Sequence, residues 1–357
     1  MAPSTLTRMP FRAASVRTRL LGIVVAATCA VVAVASCSSE ADDDASTIVR
    51  TTTAVAGAAV VGLERDTSQA CAAPSAPDAD ADATREITHV AGISTVPTDP
   101  QRIVVLSTEA LDAMCALGLW ERVVAAATLD GPAPQPTYLG SGIASIPSVG
   151  PIGNPDPQLI AQAKPDVIIG GDVPASVSWR DLDAIAPTVF TGAPDDWRAQ
   201  FRSTATAVGR TTAGTTALDD YRRAAADAGA RTNSAQTEAS VVRFTPDAIT
   251  VLGADSFAGQ VLADTGVRRP ASQRGDSFEV ADDALEPADG DLIYAVLPAA
   301  GKDHAIEVMD SDAWLDLGAA DDHRVFAVDD TIWSGNGVAA ARALVDDLTV
   351  SLNGYAS

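Results

Sequence analysis

The stretch "RIVVLSTEALDAMCALGL", residues 102–119, carries the reading of the fold. After Arg102 come four apolar residues, three of them β-branched, the pattern of a short strand buried on both faces. "EALDAMCALGL" then reads as a helix with an apolar face that includes Cys115. The same alternation continues outward. "RVVAAA" (122–127), "DVIIG" (166–170) and "TVF" (188–190) are further strands, and "DPQLIAQA" is a helix that stops at Lys164-Pro165, where proline disfavours helix in its predecessor. Continuous apolar strands alternating with helices predict a parallel sheet covered on both faces. This is a first lobe over residues 85–210. Residues 195–233 carry no strand signal and predict a short helix followed by a long one, the connecting helix at 211–234. A second set then begins with "SVVRF", a Thr245-Pro246-Asp247 turn, "AITVL" and the helix "SFAGQVLADTG". It continues through "DLIYAVL", "DSDAWLDLG" and "RVFAV" to a final helix "GVAAARALVDDL", giving a second lobe over 235–357. The expected fold is α/β: two Rossmann-like lobes with mainly parallel sheets, joined by a single long helix.

Composition supports two lobes. The chain has 357 residues and is 47% hydrophobic, enough for more than one small core. It carries 24 basic and 47 acidic residues. Residues 1–36 hold four arginines and no acid, so the remainder has 20 against 47, a net charge of −27. That excludes nucleic acid as a partner class. Residues 1–36 also combine those arginines with an uncharged, mostly apolar run at 20–36, the two halves of an export signal. Val34-Ala35-Ser36-Cys37 resembles the lipobox of bacterial lipoproteins, in which the cysteine becomes residue one and is acylated. Residues 1–36 are then a signal peptide, and Cys37 a lipid anchor holding the chain on the outer face of the cell membrane. The competing reading is an uncleaved signal anchor. Residues 37–84 are biased to Ala, Asp, Ser and Thr and read as a tether and low-complexity linker, although the β-branched "STIVRTTTAVAGAAVVGL" within them has the composition to dock on the body. With Cys29 in the leader and Cys37 acylated, Cys71 and Cys115 form an even remainder, which predicts a disulfide outside the membrane. A buried free Cys115 with a stray Cys71 is the alternative.

The order of motifs resembles the class III periplasmic binding proteins that serve ABC importers of iron-siderophores, haem and cobalamin. The likeness is carried by "THVAGISTVPTDPQRIVVLSTEALDAMCALGLWERVVAAA", "VGPIGNPDPQLIAQAKPDVIIGG", "VLGADSFAGQVLADTGVRRP" and "RVFAVDDTIWSGNGVAAARALVDDL". It covers about residues 85–352, and the nearest likeness is to actinobacterial FecB-type lipoproteins. The resemblance implies a cleft between two lobes, no cofactor of the protein's own, and docking on a permease through one acidic residue at the apex of each lobe. By position these apical residues are Gln158, which is neutral, and Asp283.

Enzymatic signals are weak. His89, His304 and His323 lie far apart and lack metal-ligand spacing, and no Gly-x-Ser-x-Gly elbow occurs. "SGNGVAA" fits Gly-x-Gly-x-x-Ala at Gly335, Gly337 and Ala340, but a dinucleotide site needs a second strand with an acid about 20 residues on, so it reads as a helix start. Ligands of two-lobed α/β proteins sit at strand C-termini. The candidates are therefore Ser107, Thr108, Asp130, Tyr138, Asp172, Trp179 and Trp197 in the first lobe. In the second they are Arg243, a cluster of Arg268, Arg269 and Arg274, and Trp333. Arginines with aromatic surface suit an anionic ferric siderophore, with haem as the other candidate. The expectation is a lipid-anchored, non-enzymatic binding protein of an ABC importer. Its rivals are an envelope scaffold or sensor on the same fold, which the neutral Gln158 favours, and an enzyme on a two-domain nucleotide fold.

Overall fold

A computed structural model describes residues 54–79, 82–193 and 196–354. Residues 1–36, read as a leader, and Cys37 lie outside them. The described chain opens with a small hairpin of β1 (Ala54–Val55) and β2 (Ala58–Val60), followed after an extended segment by a second hairpin, β3 (Thr84–His89) with β4 (Gly92–Pro97). The first lobe is then built on β5 (Ile103–Val105), β6 (Val123–Thr128), β7 (Ser148–Pro151), β8 (Val167–Gly170) and β9 (Thr188–Phe190). Its sheet has the order β7-β6-β5-β8-β9 and every pair in it is parallel. The strands read from the apolar runs are thus present. Ile103, Val104, Val167, Ile168 and Ile169 are fully buried, as strands covered on both faces require.

The helix Thr211–Thr232 leads into the second lobe and ends at Asn233 in the left-handed region, a conformation asparagine tolerates. At about 1.5 Å per residue its 22 residues span roughly 33 Å, one stiff link between the lobes. The second lobe contains β10 (Ala239–Phe244), β11 (Ile249–Val251), β12 (Phe278–Val280), β13 (Leu292–Val296) and β14 (Val325–Val328). Here β10, β13 and β14 run parallel, whereas β11 and β12 extend one edge antiparallel. The closing helix Val338–Asn353 packs on the connecting helix.

The other edge of the second sheet is supplied from within residues 37–84. The β-branched piece there, which has the composition to dock on the body, does so: β2 pairs parallel with β14, Ala59 opposite Phe326 and Val60 opposite Ala327. The sheet order is β1-β2-β14-β13-β10-β11-β12, so the segment at 54–60 belongs to the folded body. Beyond it the chain crosses to the first lobe, where Cys71 is disulfide-bonded to Cys115 of the helix Thr108–Ala116. Ala72 N–H donates to the Cys115 carbonyl and Ser75 Oγ to that of Leu117. Gly118 has φ +67° there, and an added Cβ would lie 2.1 Å from the Ala73 carbonyl oxygen, so only glycine lets the two segments approach. Further on, the Asp78 carboxylate accepts from the N–H groups of Thr211 and Thr212 and caps the connecting helix.

One continuous core joins the lobes. It contains Leu111 and Phe201 of the first lobe, Leu218 and Tyr221 of the connecting helix, and Val241, Tyr294 and Leu344 of the second.

Candidate functional site

Between the lobes lies a cleft of about 1050 Å³. The first lobe contributes Leu129 and Asp130, just past the end of β6, with Thr137 and Tyr138. The second contributes Arg243 near the end of β10, Leu297 to Ala300 and Lys302 after β13, and Val328 to Ile332 at the end of β14. These are strand C-termini, where backbone chains diverge and leave a crevice. A third wall comes from the N-terminal segment: Val55, Val60, Val61, Gly62, Leu63, Arg65 and Thr67.

The charges of this cleft are nearly balanced, three cations (Arg65, Arg243, Lys302) against three carboxylates (Asp130, Asp329, Asp330). Arg243 grips Asp330 with two bonds, Nε to Oδ1 at 2.6 Å and Nη2 to Oδ2 at 3.1 Å, and those bonds raise its pKa. Arg65 turns away to the closing helix, donating to the Ala343 carbonyl and to Asp347. Lys302 is exposed and, among the described residues, has no carboxylate partner. Most of the remaining wall is aliphatic.

Beneath the cleft, a buried carboxylate joins the lobes. Asp112, fully buried on the helix Thr108–Ala116, accepts from the N–H groups of Ala339 and Ala340 at 2.9 and 2.8 Å and from the Tyr138 hydroxyl at 2.9 Å. It therefore satisfies two of the free donors at the start of the closing helix. Gly337 is obligatory at this junction, because its Cβ would fall 2.2 Å from Asp112 Cγ. Burial raises the Asp112 pKa to about 6, against the lowering effect of its hydrogen bonds and of Arg342. Burial beside that carboxylate pushes the Tyr138 phenol well above its ordinary range, so it stays a donor. The Gly-x-Gly-x-x-Ala helix start is thus filled by a protein carboxylate, where a dinucleotide site would present a phosphate.

The family model described as "Periplasmic binding protein" matches residues 103–331. The chain belongs to that family. It is 31% identical over 286 residues to the probable siderophore-binding lipoprotein YfiY of Bacillus subtilis (strain 168), covering 74% of this chain and 86% of that one. Among solved structures it is similar to Staphylococcus aureus SirA complexed with staphyloferrin B, with a TM-score of 0.65 and 25% identity over 76% of this chain and 99% of that one. FeuA of Bacillus subtilis, complexed with ferri-bacillibactin, shares the fold at a TM-score of 0.62 with 15% identity, over 76% of this chain and 98% of FeuA.

Within this two-lobed binding protein, the residues expected from sequence to touch a ligand are dispersed. Tyr138 and Arg243 line the cleft, with Asp130 beside them. Ser107 and Thr108 do not line it, although they follow β5; the Ser107 hydroxyl instead caps its own helix by accepting from Ala110 N–H. Asp172 is exposed elsewhere, and Trp179 packs edge-on against His89 with its indole N–H on the Thr188 carbonyl. Trp197 is a correction: it is 2% exposed and wedged edge-on between Tyr221 and Phe257, holding the connecting helix rather than facing a cleft. Trp333 is another. It is fully buried, stacked 4.3 Å from Tyr294 and bonded to Asp347, because a helix start directly after β14 turns it into the core.

The arginine cluster is also misplaced by the sequence reading. Arg268 and Arg274 pair with Glu238, which stands ahead of β10, whereas Arg243 lies near its other end. At about 3.3 Å per residue these sites are roughly 16 Å apart along the strand. Arg269 is buried and donates to the Ala239 and Leu252 carbonyls, and burial lowers its pKa to about 10. The sequence signal gave no warning, since neighbours in sequence after a helix fold back to the strand's start. Lys302, at the start of the helix Lys302–Met309 after β13, carried no sequence signal of the cleft, and neither did residues 64–67, whose place depends on a long-range pairing. Gln158 and Asp283, expected at the lobe apices, are both exposed.

Proposed function

We propose that the chain is the substrate-binding component of an ABC importer, anchored through Cys37, and that its interlobe cleft takes a ferric siderophore. The observation that supports this most is the cleft itself, large, placed at strand C-termini and lined by both lobes. The named relatives bind or are assigned to bind siderophores. Iron arrives as part of the ligand, and the protein acts by binding, not catalysis.

The balanced charge refines the ligand class. Arg243 is neutralised by Asp330 and Arg65 by Asp347 outside the cleft, which leaves Lys302 as one cation against Asp130 and Asp329 along its wall. A strongly anionic complex would be desolvated there without compensating cations. A ferric complex of low net charge with aliphatic surface, such as a trihydroxamate, fits better than a tricatecholate. Haem fits less well: the described residues lining the cleft include no histidine, and the phenol of Tyr138 is held as a donor by Asp112.

Titrating the exported chain with ferrioxamine B, a ferric tricatecholate, ferric citrate and haem tests the reading. Binding of the hydroxamate complex tightest of the four is expected. If none binds below about 0.1 mM, weaker than about 5.5 kcal/mol, the importer reading falls. The scaffold or sensor reading would then replace it, since the neutral Gln158 removes one charge-assisted contact to a permease.

A further inference from the structure

The cleft wall formed by residues 60–67 precedes the family-matched body, which starts at 103. It is fixed at both ends. On the second lobe, β2 pairs with β14, Val61 N–H donates to the Ala327 carbonyl at 3.0 Å, and Arg65 binds the closing helix at Ala343 and Asp347. On the first lobe, the Cys71–Cys115 disulfide and the Ala72 and Ser75 hydrogen bonds secure it. The segment therefore spans from one lobe to the other along the cleft. Within it, Leu63 is 63% exposed while lining the cavity, an apolar side chain that the fold itself leaves uncovered. Its neighbours Val60 and Val61 are partly buried in the same wall.

We propose that residues 60–67 are a ligand-contacting strap, and that Leu63 is a specificity-determining side chain whose apolar surface is buried by the bound complex. The proposal rests on the cleft being the siderophore site. A side chain that packs against its own protein gains nothing more when a ligand enters; one left in solvent at a cavity wall gains the full burial of its apolar area. The strap also sets the width of the cleft. Because it is tied to both lobes, it cannot swing aside without breaking either β2–β14 pairing or the disulfide. Ligands that differ in bulk or charge near Leu63 are therefore discriminated by a segment outside the family-matched body.

The test uses calorimetric titration of the exported chain with ferrioxamine B and with a ferric tricatecholate. Leu63→Ala is expected to weaken binding of the better ligand by about fivefold to tenfold. Leu63→Glu adds a negative charge to the cleft wall and is expected to weaken the anionic tricatecholate complex further than the hydroxamate one. Both variants should melt close to wild type, since the side chain is mostly in solvent. Wild-type binding with both variants within twofold of it overturns the strap proposal alone. Failure of wild type to bind either complex overturns the cleft reading and this proposal with it.

Discussion

Asp112 shows what a single residue does in this molecule. It is buried, it closes the start of the closing helix, and it fixes the Tyr138 hydroxyl below the cleft. Replacing it with alanine strands three donors in the interior, so Asp112→Ala should destabilise by about 2 to 4 kcal/mol, measured by denaturant unfolding. Its raised pKa also gives a pH signature. The stability it contributes is present in full below the unfolded value near 3.8 and is lost as pH rises through the folded value of about 6. The whole span is worth roughly 3 kcal/mol. Asp112→Asn, which cannot ionise, should therefore be more destabilising relative to wild type at pH 4 than at pH 7. An equal penalty at both pH values would show that the carboxyl titrates normally. Asp347, also raised to about 6 by burial, works in the same direction and is untouched by that substitution. Nothing in the sequence marks Asp112, because an aspartate on an apolar helix face has no pattern until Ala339 is brought to it.

Among the elements, β5, β6, β8, β9, β10, β11, β13 and β14 and the connecting and closing helices were legible from their own apolar runs and periodicity, whereas β7 and β12, short strands at sheet edges, were not. "RIVVL" becomes β5, "DVIIG" β8 and the Ala-rich stretch the connecting helix. What was not legible depends on distant partners. The composition around β2 suits docking, but which edge it joins is set only by β14. Trp197 and Trp333 follow strands in sequence yet are turned inward by Tyr221 and Asp347. The Cys71–Cys115 disulfide, between residues 44 apart, is the staple on this non-local arrangement. Restricting a loop of that length in the unfolded chain is worth about 4 kcal/mol in the chain-entropy picture. A Cys71→Ser, Cys115→Ser double variant should accordingly lose roughly 8 °C of melting temperature. A change within one or two degrees would mean that β2 pairing and the Arg65 bonds alone hold the segment.

At the scale of the whole molecule, a shared core through the connecting helix and a strap across the cleft both limit how far the lobes can part. Capture of a ligand would then need little rearrangement, and recognition would reside in fixed walls. Gln158 and Asp283, expected at the lobe apices, are exposed. If they dock on a permease, Asp283→Ala should weaken that interaction without altering ligand affinity, and Gln158→Glu should strengthen it at low salt. Equal permease binding by wild type and both variants would favour the scaffold or sensor role.

If the cleft between the lobes is the siderophore site, the iron must lie inside it, and anomalous scattering at the iron edge from crystals grown with ferrioxamine B locates it. The expected peak lies in the cleft, between Tyr138 on one side and the segment after β14 on the other, with Leu63 and Lys302 beside the ligand. Iron found on the Arg268 and Arg274 face, or anywhere outside the cleft, would contradict it.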